Sequence, residues 1–163
     1  NLVKKELGYE AFHVVILGSD QGRNLYKKKL VRLTEQYRLT KQIKFIDHCK
    51  DMALAYQVSD IIISPSIEPE AFGRVAVEAQ SMEKLIIASN IGGSNETIVN
   101  EKTGFLFESG DVNSLSKKII RAITMDETSL RLIGKEGRKN VIKKFNVEKM
   151  CFSTYSEYKR LIN

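Results

Sequence analysis

The chain is predicted to fold as an α/β domain, a parallel sheet flanked by helices. Three observations predict it. Short apolar runs that lack polar alternation, such as Asp60-Ile-Ile-Ile-Ser64 and Leu85-Ile-Ile-Ala-Ser89, suit strands buried on both faces. Segments with apolar residues at helical spacing separate these runs, so strands and helices alternate as in βαβ units. The length, 163 residues with 42% hydrophobic content, is one domain's worth and enough to bury a core.

Each element has a local cause. Residues 2–7 read as the tail of a helix stopped by the C-cap glycine Gly8. The run Phe12–Leu17 is apolar and rich in β-branched residues, which predicts a buried strand with His13 in a structural place. A turn, Gly18-Ser-Asp-Gln21-Gly22, precedes a helix over 23–38, from Arg23 onward. Its apolar positions are Tyr26, Leu30, Leu33 and Tyr37, and six of its seven charged residues are basic. Ile43–Ile46 is a short strand. Asp51 can cap a helix over 51–58 that turns Met52, Leu54 and Ala55 inward. The strand at 60–64 is closed by Pro65 and followed by a loop and an amphipathic helix starting near Gly73. After the strand at 85–89 comes Gly92-Gly93, opening a helical turn that Glu96 could cap. Thr103-Gly104 leads into the strand Phe105–Phe107. Asp111 then starts a helix with Leu115, Ile119, Ala122 and Ile123 on one face, and helices over 127–143 and 147–161 end the chain. The last carries Val147, Cys151, Thr154, Tyr158 and Leu161 along one stripe.

Composition narrows the function classes. The net charge is +6, and residues from Arg131 onward account for it, with nine Lys/Arg against three Asp/Glu. Such a C-terminal face suits a solvated helix surface, and it could also meet anionic lipid or nucleic acid. Charged residues make up 28%, which argues against wholesale disorder. Cys49 and Cys151 have neither metal nor redox spacing, and no signal peptide is seen, so a reducing cytoplasmic setting is expected. No apolar run approaches the ~20 residues of a membrane span. The first residue is Asn1 and the next six already read as helix, so the chain is expected to be a fragment of something longer.

Ligands of parallel α/β sheets bind at the carboxyl ends of the strands. The loops at that edge carry Gly18, Asp20, Asp47, His48, Glu70, Gly92 and Gly93. There is no G-x-G-x-x-G, no G-K-[ST] and no D-x-D, so the usual dinucleotide, P-loop and metal–diphosphate signatures are missing. Gly92-Gly93 would let backbone N–H groups approach an anion, although a plain tight turn explains the pair equally well. The richest stretch is Glu70-Ala-Phe72-Gly73-Arg74-Val-Ala-Val-Glu78, with two carboxylates eight positions apart across a helix start. A carboxylate among small apolar residues is costly unless hydrogen-bonded, so this stretch looks built for a polar ligand.

That stretch resembles the E-x7-E motif of retaining GT-B glycosyltransferases, family 4 (group 1). The flanking Asp60-Ile-Ile-Ile-Ser-Pro-Ser66, Gly92-Gly93, Glu96-Thr97 and Thr103-Gly-Phe-Leu106 agree, and Glu68–Gln80 and His48–Met52 resemble bacterial lipopolysaccharide and surface-glycan enzymes. The resemblance implies one Rossmann-like half of a GT-B fold. Residues 1–145 would form an N-terminally truncated donor-binding domain, with 146–163 its C-terminal helix. It implies transfer of a hexose from a nucleotide-diphosphate sugar to a glycan or lipid-linked acceptor with retention. Glu70 would then face the transferred sugar as the catalytic, electrostatic carboxylate, and Glu78 would hold the ribose hydroxyls. Phe72, Gly73, Arg74, Gly92 and Gly93 would meet sugar and diphosphate, while Gly18, Asp47 and His48 would flank the base. No metal, no cofactor and no nucleic-acid partner are implied. The acceptor would be bound through a missing N-terminal domain, so the fragment alone is expected to transfer nothing. The protein would be cytoplasmic, with peripheral contact at the inner face of the cytoplasmic membrane. Lys84 and Glu83 stand where relatives often have proline and glycine, which is expected to alter a turn rather than the chemistry. A sugar-nucleotide epimerase of the same fold and a non-catalytic nucleotide-binding module are the alternative readings.

Overall fold

The computed structural model describes residues 1–20, 22 and 24–162. Gln21 and Arg23, assigned above to a turn and a helix start, lie outside the described residues, as does Asn163. The chain forms two compact units, Asn1–Ala55 and Tyr56–Asn163.

In the first unit α1 (Leu2–Leu7) ends at Gly8, whose N–H donates to the Lys4 carbonyl at 3.0 Å, the expected glycine cap. A 3-10 turn at Tyr9–Ala11 precedes β1 (Val14–Leu17), α2 (Asn24–Gln36) and β2 (Ile43–Ile46). The strands pair in parallel, with Val14 opposite Ile43 and Leu17 opposite Ile46, a βαβ unit. Burial corrects the reading of β1 as covered on both faces, because Val15 is 56% and Ile16 37% exposed. The described part of this unit has two strands and one helix longer than two turns, too little apolar surface to cover two sheet faces. His13 lies just before β1 and is exposed, so it has no packed structural role. On α2, Leu30 and Leu33 are partly buried, but Tyr26 and Tyr37 are exposed. α3 (Met52–Gln57) starts as expected, with the Leu54 N–H on Asp51 Oδ1 at 3.0 Å. Its inward residue is not among those expected. Met52 and Leu54 are 39% and 52% exposed, and Tyr56 is buried instead.

The second unit is built on β3 (Ile61–Ser64), β4 (Leu85–Ser89) and β5 (Phe105–Phe107), parallel and in sequence order with β4 central. Every residue of β4 is buried. Period-2 alternation sends Ile86 and Ala88 into one core with Tyr56, Ala76, Ala79 and Ile98. Leu85 and Ile87 enter the other with Phe105, Phe107, Ala122 and Ile133. The helices follow the strands: α4 (Arg74–Ser81), the single turn α5 (Ser94–Thr97), α6 (Val112–Thr124), α7 (Glu127–Lys144) and α8 (Val147–Ile162). Asp111 caps α6 by accepting from the N–H groups of Asn113 at 2.7 Å and Ser114 at 3.1 Å.

α7 reaches α4 through glycine. A Cβ on Gly134 would stand 2.7 Å from the Glu83 carbonyl carbon, so only a bare Cα lets α7 lie against the end of α4. Between α4 and α5, the fully buried Gln80 donates Nε2 to the carbonyls of Ala76 and Thr97, both at 3.1 Å, and Asn140 donates to Thr97 O at 3.0 Å. These bonds fix α4, whose N-terminus points at the carboxyl edge of the sheet. The stripe on α8 faces solvent, with Val147, Tyr158 and Leu161 at least 63% exposed. Among the described residues no helix is long and apolar enough to cross a membrane.

Candidate active site

Glu70 closes the loop after β3 and is held at both of its ends. Its side chain accepts from Ser66 Oγ at 2.6 Å, and its carbonyl accepts from the Gly93 N–H at 2.8 Å. The Ser66 carbonyl is itself within 3.4 Å of Ser109 Oγ. This loop lies directly on the Gly92-Gly93 turn after β4. A Cβ on Gly92 would stand 2.5 Å from the Glu70 carbonyl oxygen, and one on Gly93 would stand 2.5 Å from that of Phe72. The two glycines therefore permit a close approach of backbones, and the Gly93 N–H already has an acceptor in Glu70.

The chain enters α4 through Gly73, buried and left-handed at φ 75°, ψ 57°. The first bonds of the helix are donated by Ala76 and Val77 to the Gly73 carbonyl, at 3.0 and 3.4 Å. Helix geometry gives the preceding N–H groups, those of Arg74 and Val75, no acceptor within the helix. With the helix dipole they make an anion-attracting end. The Phe72 ring packs edge to face on Phe145 with centroids 5.6 Å apart, which steadies the residue just before this end.

Glu78 sits one turn inside α4, with its side chain 35% exposed rather than embedded. The helix turns this position toward its rim, between the buried Ala76 and Ala79 and the exposed Arg74. Oε2 accepts from the Tyr56 hydroxyl at 2.8 Å and Oε1 from the Arg74 guanidinium at 2.9 Å. Burial first, and then the bond to Glu78, push the Tyr56 hydroxyl well above the usual tyrosine value. It thus donates as a neutral phenol.

Gly18, Asp47 and His48 belong to the first unit. Gly18 extends the β1–β2 ladder by donating its N–H to Ile46 O at 3.0 Å. Since Leu17 pairs with Ile46, Gly18 and Asp47 stand side by side at the carboxyl ends of their strands. Asp47 is ion-paired with Lys27, and His48 is exposed in the following loop. Glu70, Phe72, Gly73, Arg74, Gly92 and Gly93 gather at the corresponding end of β3 and β4 in the second unit. Glu96, read as a cap or a ligand contact, is exposed.

Comparison with known families decides what this edge belongs to. A family model described as glycosyl transferases group 1 matches residues 2–140. The chain belongs to that family. Among solved structures, a glycosyltransferase from Rickettsia africae superposes with a TM-score of 0.91 at 33% identity, over 99% of this chain and 42% of that one. The capsular polysaccharide biosynthesis glycosyltransferase CapM of Staphylococcus aureus is 36% identical over 104 residues, 64% of this chain and 27% of CapM. The UDP-Gal:α-D-GlcNAc-diphosphoundecaprenol α-1,3-galactosyltransferase of Escherichia coli is 31% identical over 111 residues, 68% of this chain and 28% of that enzyme. The chain thus spans little more than a quarter of the length of these curated relatives.

In this group 1 glycosyltransferase chain, two residues of the site went unread in the sequence, Tyr56 and Ser66. Ser66 was visible in the Ser-Pro-Ser run but carried no signal beyond a turn. Tyr56 could have been found from helical phase: it lies one turn after Met52, on the face expected to point inward, and opposite Leu54.

Proposed function

We propose that this chain carries the donor-binding half of a retaining glycosyltransferase that moves a hexose from a nucleotide-diphosphate sugar to a glycan or lipid-linked acceptor. The observation that carries this reading is the pair of glutamates held on either side of the left-handed Gly73. Ser66 fixes Glu70 in the loop ahead of α4, and Tyr56 and Arg74 fix Glu78 on its first turns.

The chemistry follows from these placements. An ionised carboxylate has about four acceptor sites, so Glu78 can take two vicinal ribose hydroxyls beside the donors it already holds. The α4 N-terminus and Arg74 would stabilise the negative charge that grows on the leaving diphosphate. In the transfer, the bond from the anomeric carbon to the diphosphate oxygen breaks as the acceptor oxygen bonds to that carbon. The acceptor's proton passes to the leaving phosphate. Glu70 faces the sugar and stabilises its developing positive charge.

The names of the Escherichia coli and Staphylococcus aureus relatives support a nucleotide-sugar donor and a surface-glycan or lipid-linked acceptor. Family membership favours transfer over epimerisation or a non-catalytic module. A cytoplasmic setting with peripheral contact to an anionic membrane fits a lipid-linked acceptor and the basic segment from Arg131 onward. Sedimentation with anionic but not neutral vesicles is the expected result for that contact. For the donor, calorimetry against UDP, GDP and ADP is expected to detect weak binding of at least one. No heat from any of them at millimolar concentration removes the donor-binding reading.

A further inference from the structure

Glu78 is gripped by two donors of unequal permanence. The Arg74 side chain is 83% exposed, and its bond to Oε1 is an i,i+4 pair on the helix surface, a kind worth little in water. Tyr56 is 5% exposed and packed with Ala76, Ala79, Ile86 and Ile98 in the core beneath α4. Its hydroxyl is therefore placed by core packing, not by the flexible surface. A glutamate side chain has three rotatable bonds and loses much freedom when fixed. One oxygen tied to a rigid phenol removes most of that freedom before any ligand arrives, and pre-paid ordering raises affinity.

We infer that Tyr56 is a positioning residue for nucleotide binding: through its 2.8 Å bond to Oε2 it sets the rotation in which the Glu78 carboxylate receives the ribose diol. The inference rests on the ribose-holding role of Glu78 proposed above and assigns a second residue to it. Core packing accounts for the ring of Tyr56 but not for its hydroxyl. A phenylalanine would fill the same space and leave no polar atom to satisfy. The hydroxyl has its function in orienting a carboxylate that is itself free to reach solvent.

The test is a comparison of ribose discrimination. Ligand-observed NMR on the 163-residue chain measures Kd for UDP and 2′-deoxy-UDP, or the GDP or ADP pair if that base binds better. Wild type is expected to prefer the ribonucleotide by about tenfold or more, as for lost hydrogen bonds to a charged group. Glu78→Gln should remove most of that preference. Tyr56→Phe should shrink it by about three- to tenfold while the Kd for the deoxynucleotide stays nearly constant, a split that a purely structural role would not give. Thermal unfolding run alongside checks that Tyr56→Phe folds. If it does not, Tyr56→His, which restores a ring donor, should recover part of the discrimination. Loss of discrimination in Glu78→Gln but not in Tyr56→Phe overturns this inference and leaves the donor reading standing. Full discrimination in Glu78→Gln, or none in wild type, overturns the ribose role of Glu78 and this inference with it.

Discussion

The N–H of Gly93 donates to the carbonyl of Glu70 at 2.8 Å, so the loop after β4 holds the loop after β3 by its backbone. The two loops touch so closely that a Cβ on Gly93 would stand 2.7 Å from the Phe72 Cα. The atoms in the way are backbone and cannot swing aside. Gly93→Ala is therefore expected to cost about 3 kcal/mol, a drop in Tm of roughly 6–12 °C for a chain of this size. Because the displaced segment carries Glu70 and Phe72, nucleotide-sugar affinity should fall as well. Differential scanning calorimetry of the variant checks the first effect. An unchanged Tm means the loops have slack that this geometry denies.

Glu83 stands at the end of α4 with φ 57°, a left-handed conformation that an L side chain adopts at a cost. At Glu83-Lys84 the chain thus places a β-carbon where glycine fits better. Its side chain gains only a 3.8 Å approach to Arg138 Nε in return, and Lys84 Nζ reaches the Gln57 carbonyl at 2.9 Å. Glu83→Gly should stabilise the chain by about 0.5–1 kcal/mol, the relief of strain less the extra entropy of an unfolded glycine. Donor binding should not change. Urea unfolding at equilibrium measures the difference, and a loss of stability contradicts the strain argument.

Glu101 on the β5 side of the second unit meets two cations, Lys118 at 2.6 Å and Arg121. Arg121 also lies over the Phe105 ring at 4.6 Å. Burial works to raise the Glu101 carboxyl, and the hydrogen bonds from Lys118 and Arg121 more than offset it, holding the group below its ordinary 4.5. A carboxyl depressed in the folded state stabilises the fold above its unfolded value and loses that contribution as pH falls below it. The acid side of the Tm–pH profile, below about pH 4.5, should therefore be shallower in Glu101→Gln than in wild type. The side chain is 39% exposed, so 1 M salt should narrow the difference. Parallel acid limbs in the two proteins would refute the linkage.

Much of this architecture was legible in the sequence because the core of the second unit is written in runs that allow one reading. The strands at 85–89 and 105–107 have the bounds expected, and the central one, buried on both faces, is apolar from Leu85 to Ala88. Capping was equally local: Gly8, Asp51 and Asp111 each close or open a helix as their residue types predict. Exposure was not local. Val15 and Ile16 read like core, yet whether a strand face is covered depends on elements distant in sequence. At the site, the E-x7-E spacing located both carboxylates but not their partners. Tyr56 is twenty-two positions before Glu78, and the bond between them exists only once α4 packs on its neighbours. Gly92-Gly93 shows a third kind of limit. Two glycines announce a close approach, and sequence could not say whether a ligand or the Glu70 loop was the thing approached.

Phe145 follows α7, far along the chain from Phe72, yet the two rings meet edge to face at 75°. Phe72 is 46% exposed, so this contact is a large part of what orders its side chain. Aromatic pairs of this geometry are worth about 0.5–1.5 kcal/mol beyond the area they bury. Phe145→Leu keeps an apolar residue at the place and removes the ring edge. The expected loss of stability is about 1 kcal/mol. The informative readout is affinity. If the Phe72-Gly73 backbone faces the transferred sugar, the variant should bind UDP as wild type does but lose about threefold in affinity for the matching UDP-sugar. Titrating both ligands into both proteins separates the outcomes. An equal loss for UDP and UDP-sugar would move the role of Phe72 from the sugar to the diphosphate, and no loss for either would confine the ring pair to packing.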